Sequence, residues 1–215
     1  MMRALGWVAA LGLLGGLGAA FGYAPREVAQ GNVQRIMYLH VPAVLTAYLA
    51  FGLVLLGSVA YLFSRRAGWD RLAAAAAELG VLFTGLTIVS GSIWGKPTWG
   101  TWWTWDARLT STAVLFLVYV GYLLLRAMVE EPGQRARYAA VMGIVGAVNI
   151  PIVHFSVKWW RALHQPSTVL GPEPSPIAGP IALALFVNWV AFTLLFAYFL
   201  SRRMEIARLE EDLVR

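Results

Sequence analysis

Six stretches of this chain, residues 5–23, 38–63, 79–95, 109–125, 138–157 and 177–200, contain none of its 17 Lys and Arg or its 11 Asp and Glu. Each is 17 to 26 residues long, and about 20 helical residues cross a bilayer core. In hydrocarbon the backbone must satisfy its own N–H and C=O groups, so each stretch reads as a helix. Leu, Ala, Val, Gly and aromatics without ten-residue units of alternation argue against a membrane β-barrel. The expected fold class is all-α: a polytopic membrane protein with six transmembrane helices, forming one integral-membrane domain over residues 1–215.

Composition closes off other classes. Apolar residues make up 59% and charged ones 13%, about half the charge of a soluble domain. The absence of cysteine excludes disulfides, thiolate metal sites and covalent haem attachment through CxxCH. A net charge of +6 would suggest nucleic acid in a soluble protein; in a membrane protein it sets orientation, and no nucleic-acid partner is expected. Eleven cations (Arg3, Arg65, Arg66, Arg71, Arg126, Arg135, Arg137, Arg202, Arg203, Arg208 and Arg215) fall on one set of connections and six on the other. The richer set should be cytoplasmic, with both termini inside. Loops 24–37, 96–108 and 158–176 are then external. The first span could instead be a signal peptide, although its apolar run is long for one. The tail 202–215 reads as a short cytoplasmic helix at the headgroups. Gly12/Gly16 and Gly91/Gly95 have small-xxx-small spacing, to which a chain with 21 Gly gives no weight.

The chemistry-bearing residues gather on the external side. All three histidines are there: His40 at the mouth of the second span, His154 near the end of the fifth, and His164 in the loop that follows. Taken singly, each fits an interfacial polar tip. His40 and His154 together are harder to dismiss, because each lies in an apolar span terminus beside a proline, Pro42 or Pro151. Pro42 suits a first helical turn, and Pro151 should kink or open the fifth helix. Two imidazoles from different helices can clamp one metal from opposite sides. Few external carboxylates (Glu27, Asp106, Glu173) and no cysteine leave a closed zinc site short of ligands. An iron porphyrin needs only two axial ligands.

Five of the ten Trp fall between Trp94 and Trp105, whereas an aromatic belt would spread them over many span ends. A helix over 99–106 would set Trp99, Trp102, Trp103 and Asp106 on one face. That shelf would suit a large planar π ligand. Arg35, Lys96, Arg108, Lys158 and Arg161 are external cations that could meet haem propionates, with Arg35 and Arg108 preferred because they lie close in sequence to His40 and Asp106. Gly91 to Pro97 only caricatures a phosphate loop, and no G-x-S-x-G elbow is present. No charged residue lies within the six stretches, so a proton or ion pathway is not expected.

At these residues the chain resembles the CcmC family of haem-handling membrane proteins in bacterial cytochrome c maturation. The likeness is carried by Arg35 through Pro42, by Gly95 through Ser111 with its Trp-Trp segment and Asp106-Ala107-Arg108, and by His154 through Gln165. Related cytochrome c synthases share a "WWD" segment, but typically place Pro after the Asp, where this chain has Ala107. The resemblance implies a multi-pass protein of the bacterial inner membrane whose site faces the periplasm. It implies non-covalent haem b with His40 and His154 as axial ligands. Trp94, Trp99, Trp102, Trp103, Trp105 and Asp106 would form the loop that cradles haem and meets a chaperone. The implied partners are the ATPase CcmA, the membrane subunit CcmB, the single-span CcmD and the haem chaperone CcmE, besides membrane lipid. The role is that of a carrier subunit without a nucleotide site, not an enzyme. The alternative is a haem lyase or synthase of the same superfamily.

Overall fold

The computed structural model describes residues 2–164, 177 and 179–214. Helix α1 (Met2–Gly18) runs into a π-helical turn (Ala19–Tyr23), and a 3₁₀ turn (Val33–Ile36) leads into α2 (Met37–Ser64). Then follow α3 (Ala67–Trp99), α4 (Ala107–Met128), α5 (Pro132–Ala147), α6 (Asn149–Trp159) and α7 (Gly179–Val214). Among the described residues there is no strand, only an isolated bridge between Glu27 and Gly31. Six helical spans are long and apolar enough to cross a membrane, α5 and α6 together making the fifth. The outer surface exposes Leu11, Phe63, Leu117, Leu124, Val145 and Phe186, as a lipid-facing surface requires.

Helix ends depart from the charge-free windows. The third helix begins at Ala67, more than two turns before residue 79, and carries Asp70 and Glu78. Both carboxylates have cations from other helices. Asp70 accepts two bonds from Arg126 at 2.6 and 2.9 Å, and Glu78 accepts from Arg203 Nε at 2.6 Å. A run of alanines, Ala73 to Ala77, favours the helix between them. The tail is helical as expected, but as a continuation of α7, which runs unbroken to Val214, with Arg202 paired to Glu205 and Arg203 also 3.5 Å from Glu210. Pro42 is the sixth residue of α2, not part of its first turn.

The fifth span is interrupted as its proline predicts. Pro151 has no N–H to give the Ala147 carbonyl, and the Val148 N–H turns to Val145 at 3.2 Å. The chain therefore passes from α5 to α6 at Val148.

Inside the bundle α2 packs on α3, α5 and α7, while α1 packs on α7. Phe51 and Tyr119 stack at 3.9 Å, 15° from parallel. Phe51 fits because Gly80 opposite has no side chain: a Cβ there would lie 2.4 Å from Phe51 Cε1. Gly80→Ala is expected to cost about 2 kcal/mol through overpacking, with Phe51→Leu recovering part of that loss. Chemical denaturation of the single and double variants in detergent measures the coupling, and strict additivity would contradict the shared contact. The Gly12/Gly16 pair lies at the contact of α1 with α7. Gly16 faces Asn188, which donates to the Gly16 carbonyl at 3.0 Å, and Gly12 lies against Ala191.

The first two connections read as external, 24–37 and 96–108, share one end of the bundle with residues 158–164, the part of the third before residues 165–176, which lie outside the described residues. Trp94 Nε1 donates to Gln30 Oε1 at 2.8 Å, and the Leu163 N–H donates to Asp106 Oδ2 at 3.2 Å. The rings of Trp99 and His164 lie 5.8 Å apart.

Candidate functional site

At that end a pocket opens among α2, α3, α4 and α6. His40 on α2 and His154 on α6 both line it, with Trp94, Trp99, Trp102, Trp103, Arg108 and His164. Val41, Val44, Leu45, Ile88, Leu115 and Val153 supply apolar walls.

His40 is buried and held on three sides. Its Nδ1 lies 3.1 Å from Ser90 Oγ, and the Trp94 ring meets it edge-on at 5.7 Å. A Cβ on Gly91 would come within 2.9 Å of its Cε1. Trp94 is in turn fixed by Gln30, whose loop is shaped by Glu27. The Glu27 carboxylate accepts backbone N–H bonds from Gln30 and Ala29, which hold it below the usual carboxylate range. His154 is half-buried, with edge contacts to Phe155 at 4.9 Å and Tyr48 at 6.3 Å.

The tryptophan segment does not form the helical shelf. Gly100 takes a left-handed φ of 81° and ends α3, the role glycine plays after a helix C-terminus. Asp106 is the N-cap of α4, its Oδ1 accepting from the Leu109 N–H at 2.9 Å. Between these two signals residues 101–106 are non-helical. As a loop the segment still turns Trp102 and Trp103 to the pocket. Trp105, 80% exposed, instead lines a shallow depression on the far side of α4 with Asp106, Trp160 and Arg161. Asp106 also accepts from Leu163, so its carboxylate fastens the loop to the segment after α6.

The five candidate cations separate in space. Only Arg108 lines the main pocket. Arg35 donates to the carbonyls of Ala20 and Ala24, and Lys96 donates to the Gly100 carbonyl at 3.0 Å. Lys158 lies over the Phe155 ring at 5.8 Å. Arg108 Nη1 and Trp103 Nε1 are buried without hydrogen-bond partners, two donors left over beside the pocket.

The sequence does not single out Ser90, Gln30 or Tyr48. Ser90 was detectable as a polar residue inside an apolar span, and the Gly91/Gly95 spacing was a signal given no weight. Gln30 and Tyr48 have no local signature. Chemically, the arrangement can take a broad apolar ligand, offer it imidazole nitrogen from two helices, and answer acceptor groups with Arg108 and Trp103.

Comparison with known proteins agrees in kind. The family model described as "CcmC: Heme exporter protein C" matches residues 1–214. Heme exporter protein C of Bradyrhizobium diazoefficiens is 43% identical over 187 residues, covering 86% of this chain and 71% of that one. The protein of the same name from Haemophilus influenzae is 37% identical over 202 residues, 93% of this chain and 82% of its own. That of Escherichia coli K12 is 40% identical over 185 residues, 86% and 74%. With the family model matching nearly end to end, this six-span chain belongs to the heme exporter protein C family.

Proposed function

We propose that this chain handles haem in cytochrome c maturation, holding haem b non-covalently between His40 and His154 at the periplasmic face of the bacterial inner membrane. One observation carries the reading: imidazoles from two separate helices line one apolar pocket that also contains unpaired donors. The donor set fits an iron porphyrin. The pocket wall offers imidazoles from α2 and α6, with His164 at its edge, and no carboxylate or thiolate among the described residues, so a ring that brings its own four equatorial nitrogens is the suitable guest. Arg108, with Trp103, would meet a propionate, since the Arg35 guanidinium is taken up by backbone carbonyls.

Two imidazoles leave iron without an open position, which suits carrying rather than oxygen chemistry. The exposed part of the tryptophan loop, Trp102 and Trp105, gives the chaperone CcmE a place to approach. CcmA, CcmB and CcmD complete the ABC-type complex, and energy coupling belongs to those subunits. The cation count supports placing this end outside.

Absorption spectra of the detergent-extracted protein, oxidised and reduced, test the reading. Low-spin, six-coordinate haem is expected in the parent chain and in His164→Ala. In His40→Ala or His154→Ala haem should be lost or become five-coordinate. Unchanged spectra in both of these variants would remove the two histidines as ligands.

A further inference from the structure

We infer that Ser90 is the positioning residue for His40, accepting the Nδ1 proton so that the Nε2 lone pair is the one presented to iron; this rests on the reading of His40 as a haem ligand. A serine hydroxyl has one proton to give. That of Ser90 is committed to its own helix, with the oxygen 2.6 Å from the Leu86 carbonyl and 3.3 Å from that of Thr87. Carbonyl oxygens only accept, so towards His40 Nδ1, at 3.1 Å, Ser90 has only a lone pair to offer. The bond therefore runs from Nδ1–H to Ser90 Oγ. A neutral imidazole has a single N–H, which leaves Nε2 bare.

The surrounding geometry agrees with this direction. Measured from the position a Cβ would take on Gly91, Cε1 lies at 2.9 Å, Nδ1 at 3.5 Å and Nε2 at 4.0 Å. Of these three ring atoms Nε2 stands farthest from that point on α3. Trp94 edge-on at 5.7 Å limits sideways movement of the ring. Turning the ring over would put carbon where Nδ1 sits and forfeit the bond to Ser90. A partner on the second nitrogen fixes tautomer and orientation and raises the basicity of the ligating nitrogen. His154 is held instead by ring contacts with Tyr48 and Phe155, so the two imidazoles are not equivalent.

The test reads the tautomer without haem. The full chain, labelled with ¹⁵N-histidine and kept haem-free in detergent, is observed by NMR about two pH units above the ordinary imidazole pKa. The His40 signals are identified by their loss in His40→Ala. A protonated Nδ1 and a bare Nε2 are expected in the parent chain. Ser90→Ala should move His40 towards the Nε2–H form and raise the haem dissociation constant about 10-fold or more, as loss of such partners does. Ser90→Thr keeps the hydroxyl and should restore both readouts. Nε2–H in the parent chain overturns the inference, as does a Ser90→Ala protein with unchanged tautomer and haem affinity. If His40→Ala abolishes haem ligation while Ser90→Ala changes nothing, only the positioning role falls. If His40→Ala leaves the haem spectrum intact, the ligand reading falls and takes this inference with it.

Discussion

Gly91→Val is expected to abolish the six-coordinate haem signature proposed above while leaving the helical content of the protein intact. The first carbon of any side chain at this position would lie 2.9 Å from His40 Cε1, so the ring must move. It has little room, because Ser90 and Trp94 hold the rest of it. Valine adds two γ-carbons in a rotamer that a helix strongly restricts, and so displaces the imidazole further than alanine would. Gly91→Ala should give an intermediate result, with haem retained weakly. Gly15, where an added Cβ would meet nothing within 4 Å, supplies the control: Gly15→Ala should keep the parent spectrum. Haem content and absorption spectra of the purified variants decide the matter. Full low-spin haem in Gly91→Val would contradict the close approach of α3 to His40.

The second large effect is on stability. Arg126→Ala is expected to cost about 3 kcal/mol, the lower end for breaking a buried ion pair, because it strands the Asp70 carboxylate. Both side chains are only 16–17% exposed and are joined by two bonds. The Arg126 guanidinium also lies over the Tyr122 ring at 5.9 Å, a contact that the substitution removes. Lysine cannot repeat the two-pronged geometry, so Arg126→Lys should recover less than half of the loss. The exchanged pair Asp70→Arg with Arg126→Asp should be more stable than either single change. Denaturant unfolding in micelles measures all of these. A loss below about 0.5 kcal/mol in Arg126→Ala would mean the pair behaves as a solvated surface contact.

The spans were readable because exclusion of charge from hydrocarbon is a local property of sequence. Their ends were less so. The charge-free windows missed the first turns of α3 because Asp70 and Glu78 meet Arg126 and Arg203 from distant parts of the chain, and no local pattern records such pairing. The helical tail is legible in the sequence, but its continuity with α7 is not, because Arg203 meets Glu78 from a distant part of the chain. Around the pocket, residue type and position in the spans single out His40 and His154, which the fold brings to one pocket wall. The shelf over 99–106 failed because periodicity was weighed without its punctuation: Gly100 ends one helix and Asp106 begins the next. Among the five cations, proximity in sequence favoured Arg35 and Arg108 equally. Only the fold separates them, turning one to backbone carbonyls and the other to the pocket. Ser90 was hidden by its ordinariness, since a serine inside a span usually just returns its proton to its own helix, as this one also does.

The interruption at Val148 divides the mechanical duties of the pocket. His40 rides on α2, which is wedged among α3, α5 and α7, whereas the short α6 carrying His154 rests chiefly on α4. The two sides of the pocket are therefore unequally braced, the His40 side by three helices and the His154 side chiefly by one.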